Sequence, residues 1–318
     1  MPDLDSTTSA TANRAVRITH FGGPEVIEVT TIDTPYPAAD EVLVRVHSAS
    51  VNPVDWKTAE GKYPPVGEDA LPIVLGRDLA GKIAQVADSE WSVGDRVFAF
   101  IGQDRGAQSD FVCVKTRELV AMPDAIDFDA AAGSALAVMT AWQGLFDHGG
   151  LTAGQRVLIH GGAGGVGHMA VQLARWKGAT VFATASEHDL DFVRSLGADT
   201  VIDYKNARFE DIATDLDMVF DTQGGETQAR SFGVIREGGI LVSTLDPDTA
   251  KAAEHKVRIV PRWHAEPDAA TLGQVADLLA SGALKVTVAK TFPLEDVRAA
   301  HAFAQDAHPR GKVVLRLV

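Results

Sequence analysis

Leu158-Ile159-His160-Gly161-Gly162-Ala163-Gly164-Gly165-Val166-Gly167-His168 decides how this chain is read: a short apolar run breaks into five glycines and then resumes as a helical pattern. A strand, a tight turn and a helix N-terminus look like this in one dimension. Gly162, Gly164 and Gly167 match G-x-G-x-x-G, in which the first glycine permits the turn, the second lets backbone approach a pyrophosphate and the third allows close helix packing. Backbone N–H groups of Gly164, Gly165, Val166 and Gly167 at the helix start are then placed to face phosphates, helped by the helix dipole. Such a motif is weak alone, and its flanks give it weight. Arg156 to His160 reads as a buried strand, and Val166, Ala170, Val171 and Ala174 mark one face of a helix running to Lys177.

The chain of 318 residues exceeds the usual single-domain size, so two domains are expected. With 29 basic against 43 acidic residues the formal charge is −14, which opposes nucleic acid or an anionic membrane as a main partner and favours a small-molecule substrate. No apolar stretch reaches the roughly 18 residues that span a bilayer. Residues 1–13 are polar and lack the basic and apolar segments of a secretory signal, so they read as a disordered lead-in and the protein as cytoplasmic. Cys113 is the only cysteine, which excludes an internal disulfide and a cysteine-rich zinc site.

From Arg14 to about Asp124 short strand-like runs are punctuated by Gly and Pro, as in a compact β unit. Val42, Val44 and Val46 alternate with Leu43, Arg45 and His47, so that strand has one wetter face. After Asp124 the texture becomes alanine-rich helix, from Ser134 to His148. Strands then alternate with helices: Arg156–His160, Ala179–Thr184, Thr200–Asp203, Met218–Asp221 and Gly239–Ser243. That alternation predicts βαβ units and a doubly wound parallel sheet over residues 125–261. Leu196-Gly197-Ala198-Asp199 reads as a helix stop with Gly197 in the left-handed position. Beyond it, helices at Asp268–Ala280 and Leu294–Gln305 and a final strand at Lys312–Leu317 suggest that residues 262–318 return to the β domain of residues 14–124, part of this segment packing on the nucleotide-binding domain.

Taken together, Val51-Asn52-Pro53-Val54-Asp55-Trp56-Lys57, Leu75-Gly76-Arg77-Asp78-Leu79-Ala80-Gly81, Gly94-Asp95-Arg96-Val97-Phe98, Met139-Thr140-Ala141-Trp142, the glycine turn, Leu196-Gly197-Ala198-Asp199 and Gly311-Lys312-Val313-Val314 resemble the medium-chain dehydrogenase/reductase superfamily, in its zinc-independent NADPH quinone oxidoreductase-like branch. The resemblance implies an α/β architecture, a GroES-like β domain plus a Rossmann domain, with the active-site cleft between them. It also implies hydride transfer from NADPH to a quinone or α,β-unsaturated carbonyl, and a homodimer joined through sheet edges near Gly239–Ser243. An enoyl-thioester reductase and a non-catalytic NADPH-binding sensor or structural protein are the alternatives. Zinc-dependent members carry a cysteine in the Val51-Asn52 region and Gly-His-Glu at Gly76-Arg77-Asp78, so no metal site is expected.

Two residues are catalytic candidates. Asn52 lies at a strand end, where its amide can hydrogen-bond a substrate carbonyl or the cofactor ribose, against a plain Asn-Pro turn. Tyr63 is a candidate donor over the substrate, against simple loop packing. By resemblance Thr140 approaches the nicotinamide side and Lys312 neighbours the cofactor, against a back-bonded helix threonine and a surface lysine. The second strand of the Rossmann unit ends in Thr184-Ala185-Ser186 without the carboxylate that accepts from an NAD ribose. Ser186 can bind a phosphate, His188 or Arg194 can add charge, and Tyr204 matches a position flanking the adenosine phosphate. NADP is therefore the expected cofactor, although Glu187 and Asp189 lie close by and a basic residue at the strand end is missing. His160 and His168 read as residues beside the cofactor, not as acid-base catalysts.

Overall fold

The computed structural model describes residues 12–87 and 90–318. The N-terminal part forms strands β1 (Asn13–Ile18), β2 (Glu28–Ile32), β3 (Glu41–Val51), β4 (Ile73–Val74), β5 (Asp78–Val86), β6 (Arg96–Phe100), β7 (Phe111–Lys115) and β8 (Leu119–Ala121), with one short helix, α1 (Pro53–Ala59). The expected lead-in falls mostly outside the described residues, but its last member is ordered. Asn13 is buried, and its amide exchanges hydrogen bonds with the Phe111 backbone. On β3, Val42, Val44 and Val46 are fully buried while Arg45 is exposed, as the alternation predicts.

Helix α2 (Phe128–Trp142) follows, capped by the Asp127 carboxylate, which accepts from the Ala130 N–H at 2.7 Å. Its last turn passes into a π-helical segment at Gln143–His148, so the single helix predicted to His148 changes winding part-way. Then come β9 (Arg156–Ile159), α3 (Gly167–Trp176), β10 (Thr180–Ala185), α4 (Leu190–Ser195), β11 (Thr200–Asp203), β12 (Leu216–Asp221), α5 (Gly225–Ser231), β13 (Ile235–Ser243), α6 (Thr249–Glu254) and β14 (Arg258–Ile259). The six strands pair in the order β11-β10-β9-β12-β13-β14, all parallel, which is the doubly wound order that reverses beside the first strand. Gly239–Ser243 is therefore not at the sheet edge: β13 is covered by β14, whose register the two-residue length of Arg258–Ile259 concealed.

Continuous apolar strands have a simple cause here. Val157 and Ile159, Val181 and Ala183, and Met218 and Phe220 face one core with α2, α3 and the later α7 (Ala269–Ala280). Leu158, Phe182 and Val219 face the opposite core beside Phe209, Phe232 and Ala252. Both faces are buried, so neither parity of the strand is polar.

The chain returns to the β domain later than residue 262. Leu272, Val275, Ala276, Leu279 and Leu284 join a core that the parallel sheet shares with α2 and with β8, while β15 (Val288–Pro293), α8 (Val297–Asp306) and β16 (Lys312–Arg316) are built into the first lobe. There β16 inserts between β15 and β3, Val313 opposite Val51 and Leu315 opposite Ala49. Helix α2 lies along the seam: Gly133 faces Lys312 and Val314 of β16, and Ala135, Val138 and Met139 share a core with the parallel sheet.

Between α1 and α8, Trp56 meets the ring of His301 edge-on at 6.2 Å. Both ring nitrogens of His301 are buried without a hydrogen-bond partner, and burial pushes its pKa down to about 4. The depressed pKa makes His301 contribute stability that is present above the usual imidazole value and lost as pH falls from about 6.5 through 4. Urea unfolding at pH 6.5 and at pH 4 checks this: His301→Leu is expected to retain about 3 kcal/mol more of its neutral-pH stability than the parent does.

Candidate active site

Gly161, with φ of +71°, makes the turn after β9, one residue before the glycine assigned that task in the motif. Gly162 instead fits against Ala183 and Val193, where a Cβ would come within 3.0 and 3.1 Å of side-chain carbons. A Cβ on Gly167 would lie 2.0 Å from the Gly161 carbonyl oxygen, so the third glycine brings α3 onto the turn, as the motif requires. At Gly164 a Cβ would meet only the Gly161 oxygen, at 3.4 Å, and the outer side of the turn is open to close approach. The turn thus fits the pyrophosphate of a dinucleotide, with Gly164, Gly165, Val166 and Gly167 at the start of α3 to hold it.

Facing Gly165 is Lys312. Its Cδ lies 3.1 Å from where a Gly165 Cβ would be, and the residue is 4% exposed, so it is not a surface lysine. Two bonds fix its backbone: Gly311 N–H donates to the Ala163 carbonyl and Lys312 N–H to the Thr287 carbonyl, both at 2.8 Å. The ammonium donates to Asn52 Oδ1 and, at 3.3 Å, to the Val51 carbonyl. Burial lowers the Lys312 pKa, against the pull of Asp78 and Asp55.

Asn52 is locked by chemistry as much as by packing. Its Nδ2 donates to Ser50 Oγ and to Asp78 Oδ1, each at 3.0 Å, and Ser50 Oγ donates to the same Asp78 oxygen at 2.7 Å. An ammonium has no acceptor and a carboxylate no donor, so the amide has one possible orientation: oxygen to Lys312, nitrogen to Asp78. The expected role of Asn52 as donor to a substrate carbonyl meets a correction here, since that donor end is spent inside the protein. Asp78 is the residue that sequence reasoning missed as a positioning group. Its other oxygen accepts from the Leu136 N–H of α2 at 3.1 Å, which ties the β domain to the seam helix.

Asp55 completes the cluster. Its Oδ2 accepts from the Asn52 N–H at 2.8 Å and from Gln108 Nε2 at 3.2 Å. Burial raises its pKa to about 7, aided by Asp78 and opposed by the Asn52 N–H and Lys312. Beside it a pocket is lined by Thr58, Tyr63, Gly76, Arg77 and Gln103. Tyr63 is buried, and its oxygen accepts from Gln103 Nε2 at 2.8 Å, which leaves the phenolic hydrogen to donate elsewhere. Burial raises the Tyr63 pKa while the Arg77 guanidinium pulls it back.

The loop after β14 approaches Tyr63 from the other lobe. Trp263 Nε1 donates to the carbonyl of Ser243 at the end of β13, at 2.8 Å. Gln143 clamps the loop by exchanging two bonds with the Glu266 backbone, at 2.8 and 3.0 Å. His264 then meets the Tyr63 ring edge-on at 5.1 Å. The Tyr63 side, the Gln103 loop and the 263–266 loop therefore converge at the carboxyl ends of the parallel strands, where ligands of such sheets bind.

The remaining predicted residues lie elsewhere. Thr140 gives its hydroxyl hydrogen to the Leu136 carbonyl at 2.8 Å, the back-bonded alternative, and offers a ligand only lone pairs. Ser186, His188 and Tyr204 gather at the end of β10, His188 exposed and Tyr204 57% exposed. His160 bonds Thr184 and Ser231, His168 bonds the Gly164 carbonyl, and burial pushes both pKa values down to about 4. Both are neutral packing groups behind the turn. Among the described residues no three of His, Cys, Asp and Glu are grouped to hold a metal ion, and Asn52, Arg77 and Asp78 place, where zinc-dependent relatives have ligands, an amide bound to an ammonium, a guanidinium bound to the Ile101 carbonyl and a carboxylate bound to the amide.

Comparison with known proteins identifies the family. The profile of the alcohol dehydrogenase GroES-like domain matches residues 38–124, and that of zinc-binding dehydrogenases matches residues 196–315. The chain is 33% identical over 309 residues to the NADPH-dependent alkenal/one oxidoreductase of Arabidopsis thaliana, covering 93% of this chain and 77% of that protein. The chain belongs to the medium-chain dehydrogenase/reductase superfamily, in its quinone oxidoreductase and alkenal/one oxidoreductase branch. A quinone oxidoreductase of Rattus norvegicus is 30% identical over 321 residues, which are 94% of this chain and 95% of that one. The solved quinone oxidoreductase of Coxiella burnetii superposes with a TM-score of 0.89 at 30% identity, covering 97% of this chain and all of that one. The second profile is named for zinc, yet the residues described above do not fit that metal.

The raised pKa of Asp55 has a definite sign. Its stabilising effect is complete below the unfolded carboxyl value and is lost as pH rises through about 7, when a buried carboxylate must charge. Asp55→Asn is expected to gain on the parent in urea midpoint between pH 5 and pH 8; a constant difference across that range would contradict the assignment.

Proposed function

We propose that this protein reduces a quinone or an α,β-unsaturated carbonyl with NADPH. The observation that carries the reading is Tyr63, which lines a pocket of the β domain, whose oxygen is filled by Gln103 and whose hydrogen is left to donate, and whose ring meets His264 of the opposite lobe. When bound, NADPH supplies the hydride. The chain's own residues then have two tasks. The glycine turn and the Lys312–Asn52 pair hold the cofactor's phosphate and nicotinamide ends against the β domain. Tyr63 O–H donates to the acceptor oxygen on which negative charge develops, and an acceptor that delocalises charge onto such an oxygen is stabilised by hydrogen-bond donors alone. His264 packs edge-on against the Tyr63 ring and holds it from the opposite lobe. The relatives named for alkenals, alkenones and quinones support this choice of acceptor.

NADPH oxidation followed at 340 nm with a quinone and with an enone tests the reading, and turnover with at least one is expected. Tyr63→Phe is expected to lower kcat/KM for that acceptor by about 100-fold while leaving NADPH affinity within about twofold, the usual cost of one oxyanion donor. Tight NADPH binding with no turnover on either acceptor would replace this reading by a non-catalytic one.

A further inference from the structure

The pocket beside Tyr63 holds a guanidinium that no carboxylate of the described residues pairs with. Arg77 directs two of its five N–H groups, on Nε and Nη2, to the single carbonyl of Ile101 at 3.2 and 3.1 Å, and its Cζ lies over the Phe100 ring at 5.4 Å. Those contacts fix the plane of the fork and leave its Nη1–Nη2 edge unspent, the edge that takes both oxygens of a carboxylate. Arg105 lines the same pocket and makes the contrast, since its two Nη groups are taken by Asp104 and Glu118. Asp55 is the one carboxyl in the lining, and burial holds it toward its neutral form. Much of the remaining wall is apolar, with Val54, Val66 and Leu75. The rim adds charge of the same sign as Arg77. Burial and then the Arg262 charge of the opposite lobe depress the Lys57 ammonium of α1, and after burial Arg262 and Arg77 lower the pKa of His264, opposed by Glu266 and Asp246. In a chain of net charge −14, these cations make one locally positive mouth.

We propose that the acceptor taken by this pocket carries a carboxylate near its reacting carbonyl, and that Arg77 is the residue that recognises it. The inference rests on the reductase reading above and narrows its substrate class. Tyr63 O–H then meets the carbonyl oxygen and the free edge of Arg77 meets the carboxylate, as in a 4-oxo-2-alkenoate, whose ketone and carboxylate flank one C=C bond. The carbon β to the ketone takes the hydride, the C=C electron pair becomes an enolate whose oxygen faces Tyr63, and a proton from water at the α carbon completes the saturated oxo acid. A bidentate, charge-assisted pair replaces the water that the carboxylate gives up. A neutral acceptor gains nothing from that edge and still strips water from the guanidinium, so discrimination has an attractive and a repulsive part.

The test uses the whole protein and two acceptors, trans-4-oxo-2-pentenoate and its methyl ester, with NADPH oxidation followed at 340 nm. The ester is the more electrophilic of the two, so a preference for the acid reports recognition and not reactivity. The parent is expected to show a kcat/KM about tenfold or more higher for the acid, most of it in KM. In Arg77→Gln the acid-to-ester ratio should fall by about tenfold or more, and Arg77→Lys, a point charge without the fork, should give a value in between. Being a ratio, it is unaffected by any general loss of active enzyme in a variant. If the parent uses the ester as well as the acid, or if the ratio survives Arg77→Gln, the inference falls while the reductase reading stands. If the parent reduces neither compound but does reduce a neutral quinone or enone, the outcome is the same. If it reduces no acceptor of any kind, the reductase reading falls and takes this inference with it.

Discussion

A buried ammonium is the constraint around which the cleft is built. Lys312 is desolvated, and an unpaired charge in that position would cost several kcal/mol. The chain meets the cost with two carbonyl-type oxygens in contact, from Asn52 and Val51, and two carboxyl groups nearby, Asp78 and Asp55. Each of those partners has its own supports in Ser50, Gln108 and the α2 backbone. The order of the site is thus inherited: the lysine fixes the amide, the amide requires the carboxylate, and the carboxylate anchors the seam helix. Such a network, satisfied throughout, rigidifies what it touches.

That rigidity is set against a lighter attachment on the far side. The 263–266 loop is held by one indole N–H and by the paired bonds of Gln143, and it reaches the β domain through the edge-on contact of His264 with Tyr63. Trp263 also meets the His148 ring at 4.6 Å and packs with Ala265 against the large core, so the loop is anchored in the second lobe and meets the first at a ring edge.

Much of the architecture could be read from the chain because its elements carry period and punctuation. Buried parallel strands carry apolar residues on both faces, and Gly197 stops α4 with φ of +104°. Thr200–Asp203 could be placed to the residue for that reason. What escaped was short or non-local. The two-residue strands β4 and β14 have no periodicity to detect, and α1 is hidden behind Asn52-Pro53. At the site, the glycines, Asn52, Tyr63 and Lys312 stood out by type and neighbourhood. Asp78 did not, because its importance lies in a partner 26 residues away. Asn52 shows the converse limit: sequence identifies an amide at a strand end, and only its surroundings say which end of the amide is spent.

The insertion of β16 between β15 and β3 also orders events during synthesis. Asn52 and Lys312 are 260 residues apart, and the inner edge of β3 has its partner only when the last strand arrives. The parallel sheet and its helices lie between them in sequence and can collapse first, while Ser48–Val51 of β3, beyond the stretch that β7 pairs, waits for its partner. The cleft that the Lys312–Asn52 contact holds together is then the last part of the molecule to form.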